Sequence, residues 1–251
     1  MGFPGNFRVS AYARCLAYCR QNRSIMLPTL PRPRPEWAPL HGQYTRLLPL
    51  DANFSQGEEL FQASSTGDAE ARFRFLFEPV QDRPAFDAWM ARCPTVNDPL
   101  YFGVIDQATG RCEGRQSLMR ITPEHGVIEI GSILWGDAIA RTRVATEALY
   151  LFAEYAFDTL GYRRFEWKCN SLNAPSRRAA LRFGFQFEGI FRQHMVQKGA
   201  NRDTAWFAMT DGDWALLRAG YQRWLDPSNF DADGQQRVGL GECLRAAGAL
   251  V

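Results

Sequence analysis

Three groups of residues between Glu129 and Ser176 have types and spacings that suit chemistry. Glu129 is a carboxylate set into the alternating run Val127–Leu134, where Val127, Glu129, Gly131 and Ile133 share one face and Ile128, Ile130 and Ser132 the other. Facing a cleft from there, it can take the proton of an amine, directly or through water. Pairing with an arginine, or orienting a substrate ammonium, is the other role open to it. Thr142 opens a long segment of helical period, and the first amides of a helix lack internal acceptors and lie at its positive end. Arg141, Thr142, Arg143, Val144 and Ala145 can therefore hold a pyrophosphate without a metal, the two arginines adding charge-assisted contacts. Asn173 fits a helix cap with Ser176 in the first turn; Arg177 and Arg178 follow, and either can meet a further phosphate.

These groups need elements to hold them. Gln43–Pro49 reads as a first strand, Phe54–Ala63 as a short helix capped by Asn53, and Pro84 with Phe86, Trp89 and Met90 as a second helix. Leu100–Asp106, Gly114–Ile121 and Val127–Leu134 alternate as strands, separated by turns at Thr109–Gly110 and Pro123–Gly126, which makes an antiparallel meander. The period then changes: a helix from about Thr142 ends at Gly161, and Phe165–Cys169 returns to strand. A strand, a crossover helix and a strand make a parallel pair, whose carboxyl end favours ligands. A helix from Ser176 to Phe183, a hairpin of Phe185–Val196 and Thr204–Met209 around Gly199–Asn201, and a helix from Asp213 to Trp224 complete the pattern. The expected fold is α/β of the α+β kind, a mixed and mostly antiparallel sheet with one parallel pair and flanking helices. Residues 1–40 read as an arginine- and proline-rich arm, 41–225 as the functional domain and 226–251 as a peripheral tail.

Composition narrows the class. The chain has 251 residues, 46% hydrophobic and 22% charged, enough to bury a sizeable core. A net charge of +2 gives no basic stripe for nucleic acid and no pull toward an acidic membrane, and no apolar run reaches the roughly 20 residues of a membrane helix. The six cysteines are scattered and read as reduced thiols of a cytoplasmic protein. Cys15 and Cys19 have no partner pair at zinc spacing, so no metal is expected.

The motifs Glu129–Ile130–Gly131, Ala145–Thr146–Glu147–Ala148, Asn173–Ala174–Pro175–Ser176, and Gly184–Phe185 with Glu188–Gly189 resemble those of the GCN5-related N-acetyltransferases. Within that family the chain looks like the ribosomal-protein N-terminal acetyltransferase branch, over about Thr45 to Leu217. The resemblance implies direct transfer of acetyl from acetyl-CoA to a primary amine, either a small molecule or a protein N-terminus, with no protein nucleophile. It places the oxyanion against backbone amides near Ile133, Leu134 and Trp135 on a bulged, splayed strand. Asn173 would meet the pantetheine arm and Ser176 would lie near the sulfur. The family's pyrophosphate loop departs here, because Arg143 stands at a glycine position and Ala140 at the leading basic one. No tyrosine lies in Ser176–Phe185 to protonate the leaving thiolate, which leaves Ser176 as the acid.

Several readings stay open. His194 is an alternative base or a packed strand residue, while Arg192, Arg202 and Asp203 either fix the last hairpin or read substrate charge. Phe73, Phe75 and Phe77 choose the acceptor if they border the cleft, and only complete packing if they form an edge strand. A non-catalytic acyl-CoA-binding regulator is the alternative to an enzyme. The exposed hairpin and the Tyr221–Trp224 region offer faces for a homodimer.

Overall fold

A computed structural model describes residues 29–250; of the arm read at 1–40, residues 1–28 lie outside the described residues. Eight strands form one sheet: β1 (Leu40–His41), β2 (Thr45–Pro49), β3 (Leu100–Asp106), β4 (Cys112–Thr122), β5 (Val127–Trp135), β6 (Arg164–Asn170), β7 (Gln186–Gln197) and β8 (Ala200–Thr210). Their order is β1-β2-β3-β4-β5-β6-β8-β7. Every neighbouring pair is antiparallel except β5 and β6, which are parallel. The helices are α1 (Gly57–Ser65), α2 (Ala69–Phe73), α3 (Arg83–Arg92), α4 (Arg143–Glu154), α5 (Ala174–Arg182), α6 (Asp211–Leu225) and α7 (Leu240–Ala246).

Strand alternation splits the core in two. Leu100, Phe102 and Val104 of β3 join one buried cluster with Ile128 and Ile130 of β5, Phe152 of α4, Phe183 beyond α5, and Trp214 and Tyr221 of α6. Ile105, one step out of phase, joins Leu60, Phe86, Trp89 and Cys93 beneath α1 and α3 on the other face. This second layer packs mainly on β3 and β4 and reaches only the end of β5, so the charged residues of β5, β6 and β8 on the same face lie beyond α1 and α3.

The crossover unit follows the sequence pattern. α4 is buried from Val144 to Ala153, passes through a π turn at Tyr155–Thr159, and ends where Gly161 adopts φ +66°. Glu147, buried on α4, accepts from the amides of Gln43, Tyr44 and Thr45 at 2.8, 2.6 and 2.7 Å. β2 begins at Thr45, whose partner on β3 is Asp106.

Four expectations are corrected. The first helix begins at Gly57, not Phe54: Asn53 donates its amide to Asp51 Oδ1 within a preceding turn and caps nothing. The final hairpin turns at Lys198–Gly199, both left-handed (φ +50° and +77°), so β8 starts at Ala200. The segment after Leu225 is no peripheral tail, since Phe230, Leu240, Cys243 and Leu244 are buried in the main core. Its apolar residues are spaced for a short helix, but polar residues between them dilute the signal. Phe73 closes α2 and the following residues form turns, so this aromatic stretch is not an edge strand.

Candidate active site

The site begins where two strands part. β5 and β6 pair from Val127↔Arg164 to Ile130↔Trp167 and no further, while β5 runs on to Trp135 against β4 and β6 to Asn170 against β8. Backbone groups of Gly131–Trp135 on the β6 side therefore have no strand partner, and groups of that kind need an acceptor or donor from elsewhere. A bulge accompanies the split. Arg115 faces Leu134 and Ser117 faces Gly131, so Ser132 and Ile133 together oppose Gln116, with Ser132 at φ +49°.

A buried arginine holds that bulge. Arg115 is 1% exposed; its Nη1 donates to Ser132 O at 3.1 Å, its Nη2 pairs with Glu78, and its guanidinium lies 4.5 Å from the Trp89 ring centroid. Burial alone would raise the Glu78 carboxyl, but the Arg115 charge and hydrogen bonds hold it below its ordinary range.

Beyond the bulge the chain turns into α4. Arg141 takes the left-handed conformation (φ +66°), Thr142 occupies the cap position in extended backbone, and its hydroxyl donates back to Ile139 O at 2.7 Å. The first turn carries no acid and no side-chain cap, so the amides of Arg143, Val144 and Ala145 have no acceptor among the described residues. Arg143 is the first helical residue. Its helical backbone needs no glycine; the left-handed residue of the loop is Arg141. Its guanidinium is not free over the helix end, because it stacks on the rings of Tyr44 and Phe230 at 4.5 and 5.2 Å. Arg141 is exposed beside those amides.

α5 brings the third group to the same opening. Asn173 Oδ1 accepts from Ser176 N at 3.1 Å, the cap expected from its position. Ser176 Oγ accepts from Trp167 Nε1 at 3.0 Å, and its hydroxyl is directed to the Cys169 sulfur. Cys169, next along β6, has its thiol pushed up by burial and is therefore a poor nucleophile. Arg177 donates to Ser171 O, and Arg178 is exposed. Trp135 stands edge-on to Phe183 at 6.0 Å and donates to Gln116 Oε1, as a wall of the opening would.

On the face left bare by α1 and α3, charges are paired along the strands. Glu129 is 3% exposed; both its oxygens accept from Arg120 Nη1, at 3.0 and 2.8 Å, and Lys168 Nζ lies 2.8 Å away. Lys168 also pairs with Glu166 at 2.5 Å and sits 3.9 Å from the Trp206 ring centroid. Arg164 bridges Glu166 and Glu188, and those hydrogen bonds raise its pKa. Burial opposes ionisation of Glu166, but hydrogen bonds from Lys168 and Arg164 outweigh it and its pKa falls below the ordinary value. His194 Nδ1 and Thr204 Oγ1 are 2.9 Å apart, with the His194 ring against the edge of the packed Phe191 and Trp206 pair.

Residues 54–186 match the family model described as an acetyltransferase (GNAT) domain. The chain belongs to the GNAT acetyltransferase family. A crystal structure of a GCN5-related N-acetyltransferase from Brucella melitensis is 55% identical, covering 88% of this chain and 100% of that one at a TM-score of 0.85. A probable GNAT-family acetyltransferase from Chromobacterium violaceum is 39% identical, covering 76% and 98%, with a TM-score of 0.68. An N-acetyltransferase named p20 from Bacillus licheniformis, described as uncharacterized, is 30% identical over 118 residues; the match spans 45% of this chain and 64% of that protein.

Within this GNAT domain the structure gathers most of the residues singled out from sequence. Ile133–Trp135, Arg141–Ala145, Asn173 and Ser176 surround the splay and the helix end, and Glu129 lies on the strand that carries the bulge. Arg143 turns away onto two aromatic rings, against the expectation that it would meet the anion. Arg115, Arg120, Glu166 and Lys168 were missed. Phe165, Trp167 and Cys169 alternate with Glu166 and Lys168, a signal that set those two charges on one face; Arg115 gave none, since its burial depends on Glu78 from a distant turn. Among the described residues no helix is long and apolar enough to cross a membrane, and no cluster of His, Cys, Asp and Glu could hold a metal.

Proposed function

We propose that the protein transfers the acetyl group of acetyl-CoA directly to a primary amine. The observation that supports this most is the conjunction of the β5–β6 splay with a helix end whose first amides are unclaimed. The residues fit the co-substrate: the amides of Arg143–Ala145 with Arg141 would take the pyrophosphate, Arg178 the adenosine phosphate, and the unpaired edge of β5 and Asn173 the pantetheine amides. Acetyl-CoA supplies an activated thioester carbonyl.

The chain's own groups supply the rest. Backbone amides on the open side of Ile133–Trp135 face the position of the developing oxyanion, and the Arg115 contact to Ser132 keeps the bulge in register for them. Ser176, accepting from Trp167, would turn its hydroxyl proton from Cys169 to the leaving sulfur. As the nitrogen–carbon bond forms and the carbon–sulfur bond breaks, the amine gives up one proton and the thiolate gains one. Glu129 already accepts from two cations, which favours the role of orienting charge at the acceptor amine over that of sole base.

The acceptor divides between a protein N-terminus, suggested by the resemblance to the ribosomal-protein branch, and a small amine. Incubation with acetyl-CoA and a mixture of peptides, polyamines and amino acids, read by intact mass together with thiol release, tests the proposal. Equal yields of free thiol and acetylated amine are expected; coenzyme retained with no amine modified would overturn it.

A further inference from the structure

On the bare face of the sheet the charges do not balance. Arg120, Arg164 and Lys168 are matched by Glu129, Glu166 and Glu188, and Arg115 by Glu78. Arg202 is left over. It is 6% exposed, has no carboxylate partner among the described residues, and makes one side-chain hydrogen bond, from Nη1 to Gln197 Oε1 at 3.3 Å. Its Nε is enclosed without an acceptor, and so is Nε1 of Trp206, four residues on along the same strand and face. A guanidinium stays charged in a protein, so enclosing one without a counter-charge is unfavourable until an anion arrives.

Position adds to chemistry. Thr204 of β8 pairs with Asn170, the last residue of β6, so Arg202 lies past the end of β6, further along β8 than Phe207, which faces Trp167 where the β5–β6 pairing ends. The ring of Phe77 covers its guanidinium at 4.9 Å, and Phe191 packs on Trp206 at 4.4 Å. Lys198 Nζ and Gln197 Nε2 donate to the carbonyls of Phe73 and Phe75, which ties the segment leading to Phe77 to the last hairpin. Arg202 is thus an unmatched cation set among aromatic rings, an arrangement that suits a small anionic group.

We propose that the acceptor amine carries a carboxylate and that Arg202 binds it. This rests on the amine acetylation proposed above and names the class of amine. The carboxylate can come from a free amino acid or from an acidic side chain at a peptide N-terminus; both present the same group to Arg202, with Trp206 Nε1 as a second donor.

The test compares matched acceptors with acetyl-CoA: an amino acid and its carboxamide, and two peptides whose second residue is Glu or Gln. The wild type should prefer the carboxylate member of at least one pair by about 10- to 100-fold in kcat/KM, the range expected for a charge-assisted contact. The pair that shows the preference identifies the source. Arg202→Gln should bring that ratio to about one, mainly through KM, and Arg202→Lys should restore part of it. Acetylation with no preference in either pair, or a preference that survives Arg202→Gln, overturns the inference and leaves the acetylation itself standing. Absence of acetylation in all four acceptors, with another amine of the wider mixture acetylated, overturns the inference alone; absence in the wider mixture too overturns both. Should Arg202→Gln not fold, the ratios of the wild type decide.

Discussion

Replacing Lys168 by Met tests the charge arrangement on the acceptor face. Lys168 lies between Glu129 and Glu166, which are opposed residues of β5 and β6, and the three side chains are 5%, 4% and 9% exposed. Removing the cation leaves two buried carboxylates facing each other, and breaking a buried pair in this way costs about 3–5 kcal/mol. Glu129→Gln is milder, because Lys168 keeps Glu166 and the contact with Arg120, whose side chain is 38% exposed, is discounted for solvent. Its cost is about 2–3 kcal/mol. In the double variant Glu166 retains Arg164 and no carboxylate repulsion remains, so the combined loss should fall short of the sum by about 1–3 kcal/mol. Urea unfolding of the wild type, both single variants and the double variant measures the coupling. pH gives a second reading: the Glu166 carboxyl is held below its ordinary value of 4.5, so its stabilisation is present above that value and is lost as pH falls through the lowered one. Lys168→Met should weaken this acid limb. Losses that add within about 0.5 kcal/mol would refute the reasoning.

Arg115→Met should cost about 3–5 kcal/mol by leaving the buried Glu78 carboxylate unpaired, with Arg115→Met/Glu78→Leu recovering much of it in thermal or urea unfolding. Arg141→Ala should weaken coenzyme A binding in calorimetry about tenfold more than binding of a pantetheine fragment without the nucleotide; equal weakening would remove the phosphate contact. Glu147→Gln should lose about 1–3 kcal/mol at neutral pH, because three converging amides then share a single oxygen. Burial raises the Glu147 carboxyl above its ordinary 4.5, so its contribution is fullest below that value and declines as pH rises through the raised one. In the Gln variant that decline should be absent.

The framework of the site was legible in the sequence because its signals are local. The β3–β5 meander alternates with clear turns, α4 repeats at helical period up to a glycine stop, and Asn173 three residues before Ser176 is a cap written in residue types. What stayed hidden depends on residues far apart in the chain. Arg115 becomes a core residue only because Glu78 and Trp89 meet it, and Arg143 leaves the phosphate loop because Tyr44 and Phe230 offer it two rings. Glu129 looked like an isolated carboxylate in strand pattern. The parallel register that sets Glu166 opposite it, with Lys168 between them, has no signature in either strand taken alone. The burial of Leu240–Leu244 was masked by the polar run before it.

In the proposed reaction, acetyl leaves sulfur for nitrogen at the splay of β5 and β6. Free coenzyme thiol released from acetyl-CoA, followed with and without an amine while the mass of the amine is recorded, tests this most directly. Release that depends on the amine, with one acetyl gained for each thiol freed, is the predicted result. Acetyl-CoA that binds but releases no thiol above the amine-free level, with the fold intact, would contradict it.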